Sequence, residues 1–354
     1  MFIFLIVILA LGAVLEGLSI RGGTERIGLD LTLTETRTEP GEPFSVVTTV
    51  ENGGRLPITY LCVTTTQSLY AQLPASAQTT KRRNDVTVED VYRLWGRQRV
   101  TRTMPVQIEK RGVHNVGTLT VKRGDFLGVR ITTTPVSIFR KIIVYPRALE
   151  NADLNDALGS YCGDLIAQRW LIRDPILTLG VREYTGNEPM NTISWSQTAR
   201  RGELTVREFD YTRSLSCCVI FCTNGASAAE PELLDVCCSA VRTVCETLIA
   251  HGVEPALYSN AMLVGYYDGR IRKYSASAGR MQDVLEALAR TTPVAVCPVS
   301  NLVGECLREQ TDTAAYLLVA PNRDAETEAA AEVLRSRTGA GVMLLTGEEL
   351  GGGV

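Results

Sequence analysis

From Leu29 to Tyr145 apolar residues recur at every second position, through the runs LDLTLTETR, FSVVTTVENG, PITYLCVTT, QRVTRTMPVQI, GVHNVGTLTVK, GVRITTT and IIVYP. A period of two is that of a strand with one buried face. The breaks carry turn chemistry, as in EPGEP at Glu39–Pro43. Six or seven short strands predict an immunoglobulin-like antiparallel β-sandwich over residues 28–147. No Cys…Trp…Cys staple accompanies it, so a true immunoglobulin domain is not expected.

Past residue 214 the period changes. SCCVIF is a short continuous apolar run, suited to a strand buried on both faces. Between Glu230 and His251, the residues Leu234, Cys238, Val241, Cys245 and Leu248 form one helical stripe. Further strands (PALYS, MLVGYYDG, AAYLLVA, GVMLLT) alternate with helices predicted from Gly279 to Ala289 and from Asp324 to Arg337. Strand–helix alternation predicts a Rossmann-like α/β domain over residues 214–347, with a parallel sheet covered on both faces. Residues 348–354 are expected to form a flexible tail, and residues 151–213 a segment bridging the two domains.

The chain opens on fourteen apolar or small residues, Phe2–Leu15, and the run extends to Ile20 across Glu16 and Gly17. Nineteen positions in a helix just reach across a bilayer core. Residues 1–20 are therefore expected to be an uncleaved transmembrane anchor in contact with membrane lipid. A signal peptide and a buried helix are the rivals, although no basic residue precedes the run. Arg21 and Arg26 follow it, which predicts a single-pass protein of the cell membrane with its domains on the cytoplasmic side.

Charge and composition narrow the chemistry. The net charge of −3, from 36 basic and 39 acidic residues, argues against a nucleic-acid partner. It conceals an asymmetry. Lys81–Arg147 carries 15 basic and 5 acidic residues, whereas Asn301 to the end carries 4 and 9. A surface facing a membrane or a partner, or two ordinary solvated surfaces, account for this equally well. With only two histidines, His114 and His251, a histidine-rich metal site is excluded. The ten cysteines follow no disulfide framework and suit a reducing space. Cys218 and Cys222 have a zinc-like spacing, but they fall on a predicted strand, and Cys238 and Cys245 lie on a helix stripe, so small buried hydrophobes are expected. His251 follows Cys245 at the end of a helix, a capping position, with no orienting acid evident. No phosphate-binding Walker loop is present.

The segment Val181–Phe209, VREYTGNEPMNTISWSQTARRGELTVREF, interleaves arginines and glutamates with aromatic and aliphatic residues. Such a pattern predicts a salt-bridged element packed between domains, with Tyr184 and Trp195 as packing residues. It resembles the signature of the DUF 58 family (domain of unknown function 58). Arg182, Tyr184, Pro189, Ile193, Trp195, Ala199, Arg200, Gly202, Leu204, Val206, Arg207, Glu208 and Phe209 match. Asn187, Glu188 and Asn191 depart, standing where the family has Gly, Asp and Arg. Arg111, Gly112, Asp125 and Gly128 extend the likeness upstream. The resemblance implies membrane anchoring, a sandwich, and a region similar to the von Willebrand factor type A fold. It also implies a partner, a MoxR-type AAA+ ATPase, since the two are often encoded side by side. Type A domains hold a divalent cation through D-x-S-x-S after their first strand. Here that place reads Cys222, Thr223, Asn224, Gly225, Ala226, Ser227, with no Asp. The region is read as a degenerate site without metal. No cofactor and no catalytic set are expected. The function expected is a non-catalytic interaction or scaffold protein; the alternatives are a thiol-dependent envelope enzyme or hydrolase and a passive tether.

Overall fold

The computed structural model describes residues 26–354 except 84, 126–129, 172–177, 187, 210–215, 228–229, 311–314, 339–340 and 352–354, together with Phe4, Ala10, Gly12, Val14 and Gly17. These residues form two compact units, residues 1–147 with 285–291 and residues 148–284 with 292–354.

The first unit is a β-sandwich. Its strands are β1 (Ile27–Leu33), β2 (Arg37–Thr38), β3 (Phe44–Asn52), β4 (Ile58–Ser68), β5 (Ala71–Gln72), β6 (Thr79–Lys81), β7 (Asp85–Leu94), β8 (Arg99–Ile108), β9 (Gly112–Gly124) and β10 (Ile131–Val144). One sheet has the order β1-β3-β8-β5 and the other β2-β10-β9-β4-β7-β6. Strand β3 shows why: Phe44, Val46, Thr48, Val50 and Asn52 are buried and the residues between them are not. Two apolar clusters join the sheets. In one, Phe44, Val46 and Val106 meet Val116 and Ile142; in the other, Val50 meets Leu61, Val63, Tyr92 and Val121. His114 is buried with its imidazole bonded on both sides, Nδ1 to the Ser68 hydroxyl at 2.9 Å and Nε2 to the Lys110 carbonyl at 2.8 Å. Burial lowers its pKa below the usual histidine value. Strand β7 lies among the paired strands although the period-two runs pass over it. The expected runs GVRITTT and IIVYP merge into the single strand β10.

The second unit opens with helix α1 (Ala152–Leu171). Strands β11 (Thr178–Glu183) and β12 (Thr205–Phe209) form an antiparallel pair enclosing helix α2 (Trp195–Arg201). The α/β portion follows as β13 (Ser216–Phe221), α3 (Pro231–Ala250), β14 (Glu254–Ser259), β15 (Ala261–Leu263), β16 (Arg272–Ser275), α4 (Met281–Arg290), β17 (Thr291–Ala295), α5 (Val299–Glu309), β18 (Ala315–Ala320), α6 (Ala325–Thr338), β19 (Gly341–Thr346) and α7 (Gly347–Gly351). The main sheet has the order β16-β14-β13-β18-β19, parallel except for β16. Strand β13 is central, and all six residues of β18 are buried, as expected of strands covered on both faces. On one face Cys218, Ile220 and Cys222 pack with Val299, Leu302 and Cys306 of α5 and Ala330, Ala331 and Leu334 of α6. Helix α3 starts on Pro231, whose missing N–H costs nothing there. It buries Leu234, Cys238, Val241, Cys245 and Leu248, the stripe seen in the sequence. The expected tail begins as α7, with Leu350 buried.

The membrane expectations need correction. Strands account for 43% of the structure and helices for 30%, and none of the seven helices is long and apolar enough to cross a bilayer among the described residues. This conflicts with a fold class that begins with a transmembrane helix and with single-pass anchoring on the cytoplasmic side. The physical reason is visible in the helices that do form. The 20-residue helix α3, the length of a span, carries Glu232, Asp235, Arg242 and Glu246 and uses its apolar stripe on the sheet instead. Most of residues 1–20, on which that expectation rested, lie outside the described residues.

Candidate functional site

In an open parallel sheet, ligands collect at the carboxyl ends of the strands, where successive connections leave to opposite sides. Here β13 leads through α3 to β14 on one side, and β18 leads through α6 to β19 on the other. With Phe221 opposite Val319, the loops leaving β13 and β18 emerge side by side. They carry Cys222, Thr223, Asn224, Gly225 and Ser227 from one strand, and Asn322 and Asp324 from the other.

Asn260, just beyond β14 and fully buried, organises this crevice. Its Oδ1 accepts the Thr223 amide at 3.0 Å. Its Nδ2 donates to Asn224 Oδ1 at 2.6 Å and to the Cys297 carbonyl at 2.7 Å. Gly225 turns the loop with φ of +78°. A Cβ added there would sit 3.6 Å from Asp324 Oδ2 and 3.7 Å from Asn322 Nδ2, which marks how close the two loops come. Asp324 Oδ1 accepts the Thr327 amide at 2.8 Å, an N-cap on α6. Three side-chain oxygens, Thr223 Oγ1, Asn322 Oδ1 and Thr327 Oγ1, are buried with no hydrogen-bond partner. A buried polar atom left unpaired is costly, so these three oxygens are points of strain close to the crevice.

The oxygens present do not fit a tightly held divalent cation. Asp324 is the only carboxylate among the crevice residues named above, and half of it is committed to the cap. Among the described residues no three of His, Cys, Asp and Glu gather into a metal-binding group. The thiol at the crevice is equally unsuited to attack. Cys222 is fully buried, and that burial pushes its pKa up to about 12. Cys297 is half-buried and also raised by burial.

Of the four residues expected at this degenerate loop, the structure brings Thr223 and Asn224 into the crevice network, places Ser227 on its exposed rim, and turns Cys222 into the core. Asn260, Asn322 and Asp324 come to the crevice from outside the segment that follows the first strand. Their signal was positional: each follows the end of an apolar run, in LYSN and in LLVAPNRD.

The signature segment forms a separate small cluster. Glu188 accepts from the Thr185 hydroxyl at 2.7 Å and the Thr185 amide at 3.0 Å, and pairs with Arg182 at 2.7 Å. The Thr185 hydroxyl bond, reinforced by Arg182, pulls its pKa down to about 2. Ile193 and Val206 are buried and bridge each other. Helix α2 ends at Gly202, left-handed at φ of 77°, whose amide closes on the Thr198 carbonyl at 2.9 Å. Arg200 and Arg201 sit in its last turn, where cations complement the helix dipole. Tyr184 is partly buried, while Pro189, Ala199, Leu204 and Arg207 are exposed. Trp195, expected to pack, is instead 63% exposed, because it opens a short helix beside a two-stranded ribbon that no second layer covers among the described residues. Asn187 and the side chains of Glu208 and Phe209 lie outside the described residues, as does Gly128.

No protein-family model matches the chain, and no curated protein matches it. Solved structures match about a third of it. One is a cohesin module from a family 33 glycoside hydrolase of Clostridium perfringens, at 9% identity over 34% of this chain and 95% of that one, with a TM-score of 0.26. Another is a non-cellulosomal cohesin from Archaeoglobus fulgidus, at 10% identity over 34% and 91%, with a TM-score of 0.24. The DNA glycosylase AlkC from Pseudomonas fluorescens, bound to DNA with an abasic-site analogue, matches at 14% identity over 34% and 30%, with a TM-score of 0.22. Likenesses this slight say nothing of function.

Proposed function

We propose that the chain is a non-catalytic protein-interaction module of the DUF 58 type, which engages a MoxR-type AAA+ ATPase through the crevice at the carboxyl ends of β13 and β18. The family and the partner rest on the sequence resemblance. The observation that carries the site is the meeting of two loops at the strand ends, one pinned through Thr223 and Asn224 by the buried Asn260 and the other bringing Asp324 within 3.6 Å of where a Gly225 Cβ would lie. The half-buried Asn224 and Asp324 and the exposed Ser227 offer hydrogen bonds to a polar segment from loops already held in place, which lowers the cost of binding. The thiol-enzyme alternative loses support, because the crevice thiol is held protonated near neutral pH.

The test is retention of a co-expressed MoxR-type ATPase on the tagged full chain, with and without ATP. Retention that falls at least about tenfold in Asn224→Ala and Asp324→Asn supports the reading. Failure of the wild-type chain to retain the ATPase, or retention indifferent to both substitutions, overturns it.

A further inference from the structure

A second surface stands on the β-sandwich, at the end where the loop after β3 meets the turn from β7 to β8. Asn52, 2% exposed, ties the two together. Its Nδ2 donates to the Leu56 carbonyl at 2.8 Å and the Trp95 carbonyl at 2.9 Å, and its Oδ1 accepts the Gly54 amide at 3.0 Å. The Arg97 amide donates to the Gly54 carbonyl at 2.9 Å. Gly96 packs so closely on the Arg55 backbone that an added Cβ would lie 2.1 Å from the Arg55 oxygen. The loop pair is therefore rigid before anything binds.

What it displays is unusual. Trp95 is 73% exposed. Ile58 and Leu94 are paired in register and buried, so alternation sends Pro57 and Trp95 to the opposite side, and Thr59 and Arg93, at a bulge in the ladder, are exposed as well. These residues line a recess of about 620 Å³. Arg55, Arg93 and Arg97 are all exposed, and none of them has a carboxylate partner among the described residues. Arg97 is also the one non-glycine residue with positive φ among them, at 58°. A left-handed position favours Gly or Asn, so an arginine held there works against the backbone and points to a use for its side chain.

We infer that this face is a docking site for an acidic segment of a protein partner carrying an aliphatic or aromatic anchor. Arginine forks pair bidentately with carboxylates, and an exposed Trp on a fixed backbone beside arginines is the composition of an interface hot spot. The apolar recess beside Trp95 suits a buried side chain of the partner better than a sugar–phosphate chain. The site is independent of the crevice on the second unit.

The experiment titrates the full chain into a fluorescein-labelled peptide, Asp-Glu-Asp-Leu-Phe-Glu-Asp-Glu, and reads anisotropy at low and high salt. The expected result is binding that weakens with salt and falls at least about tenfold in both Trp95→Ala and Arg97→Gly, with thermal melting preserved. Arg97→Gly relieves the backbone, so a loss of binding there is not a loss of fold; Arg93→Gln gives a second exposed variant. No binding of the peptide, equal binding by the folded variants, equal binding of the Lys-for-acid peptide, or tighter binding of oligothymidylate through the same residues would overturn the inference.

Discussion

At the scale of single residues, Asn52 and Glu188 each fix a stretch of local structure. Asn52 satisfies three backbone groups from a buried position. Net hydrogen-bond contributions are about 0.5–1.5 kcal/mol each, so Asn52→Ala is expected to cost about 2–4 kcal/mol, read as a lower urea midpoint with an unchanged slope. Glu188 supplies the pH dependence. Its folded pKa of about 2 lies below the ordinary 4.5. Its stabilising contribution is fully present above about pH 4.5 and is lost as the pH falls through about 2. Carboxyl-detected NMR should find this group still ionised at pH 3.5, and Arg182→Ala should move its midpoint upward; an unchanged midpoint would remove Arg182 as a cause.

Among the elements, β13 and α7 make the sharpest predictions. Phe221 is fully buried at the end of the central strand, and Phe221→Ala is expected to cost about 3–5 kcal/mol, measurable by calorimetry. Gly347 opens α7 where an added Cβ would meet Cys237 Sγ at 2.9 Å, the Pro321 carbonyl at 2.9 Å and the Leu233 carbonyl at 3.0 Å. Two of these are backbone and cannot move aside, so Gly347→Ala should lose about 1–3 kcal/mol; an unaltered melting point would show that the helix shifts freely. Elements with a clear period were legible from sequence: β3, the stripe of α3, and the doubly buried β13 and β18. Strand β7 was not, because DVTVEDVYRL places Glu89 and Asp90 side by side and breaks the alternation. At the crevice Thr223 and Asn224 were legible as candidates only through the resemblance to a type A fold, whose cation motif follows the first strand. Asp324, Asn322 and Asn260 were not, since only parallel pairing over long sequence separations brings them to that place. Trp95 and its arginines went unremarked because exposure and left-handed φ leave no trace in composition.

For the whole molecule, the thiols report on integrity. All ten cysteines are free, nine of them buried and Cys297 intermediate. A thiol reagent near pH 7 is expected to modify Cys297 slowly and the other nine only under denaturant, counted by intact mass. Several fast sites would mean that the α/β unit opens readily. The basic excess of Lys81–Arg147 acquires a partial location as well, since Arg93, Arg97 and Arg99 gather with Arg55 at one end of the sandwich, where among the described residues only Arg99 is neutralised, by Glu51 at 2.6 Å.

The placement of β13 bears on how the chain emerges from the ribosome. Its neighbours are β14 and β18, and the second of these is synthesised roughly a hundred residues later. Through that interval SCCVIF remains half-edged, greasy and hungry for a strand. Nascent chains stalled just before residue 315 should therefore recruit holdase chaperones far more than chains released at full length.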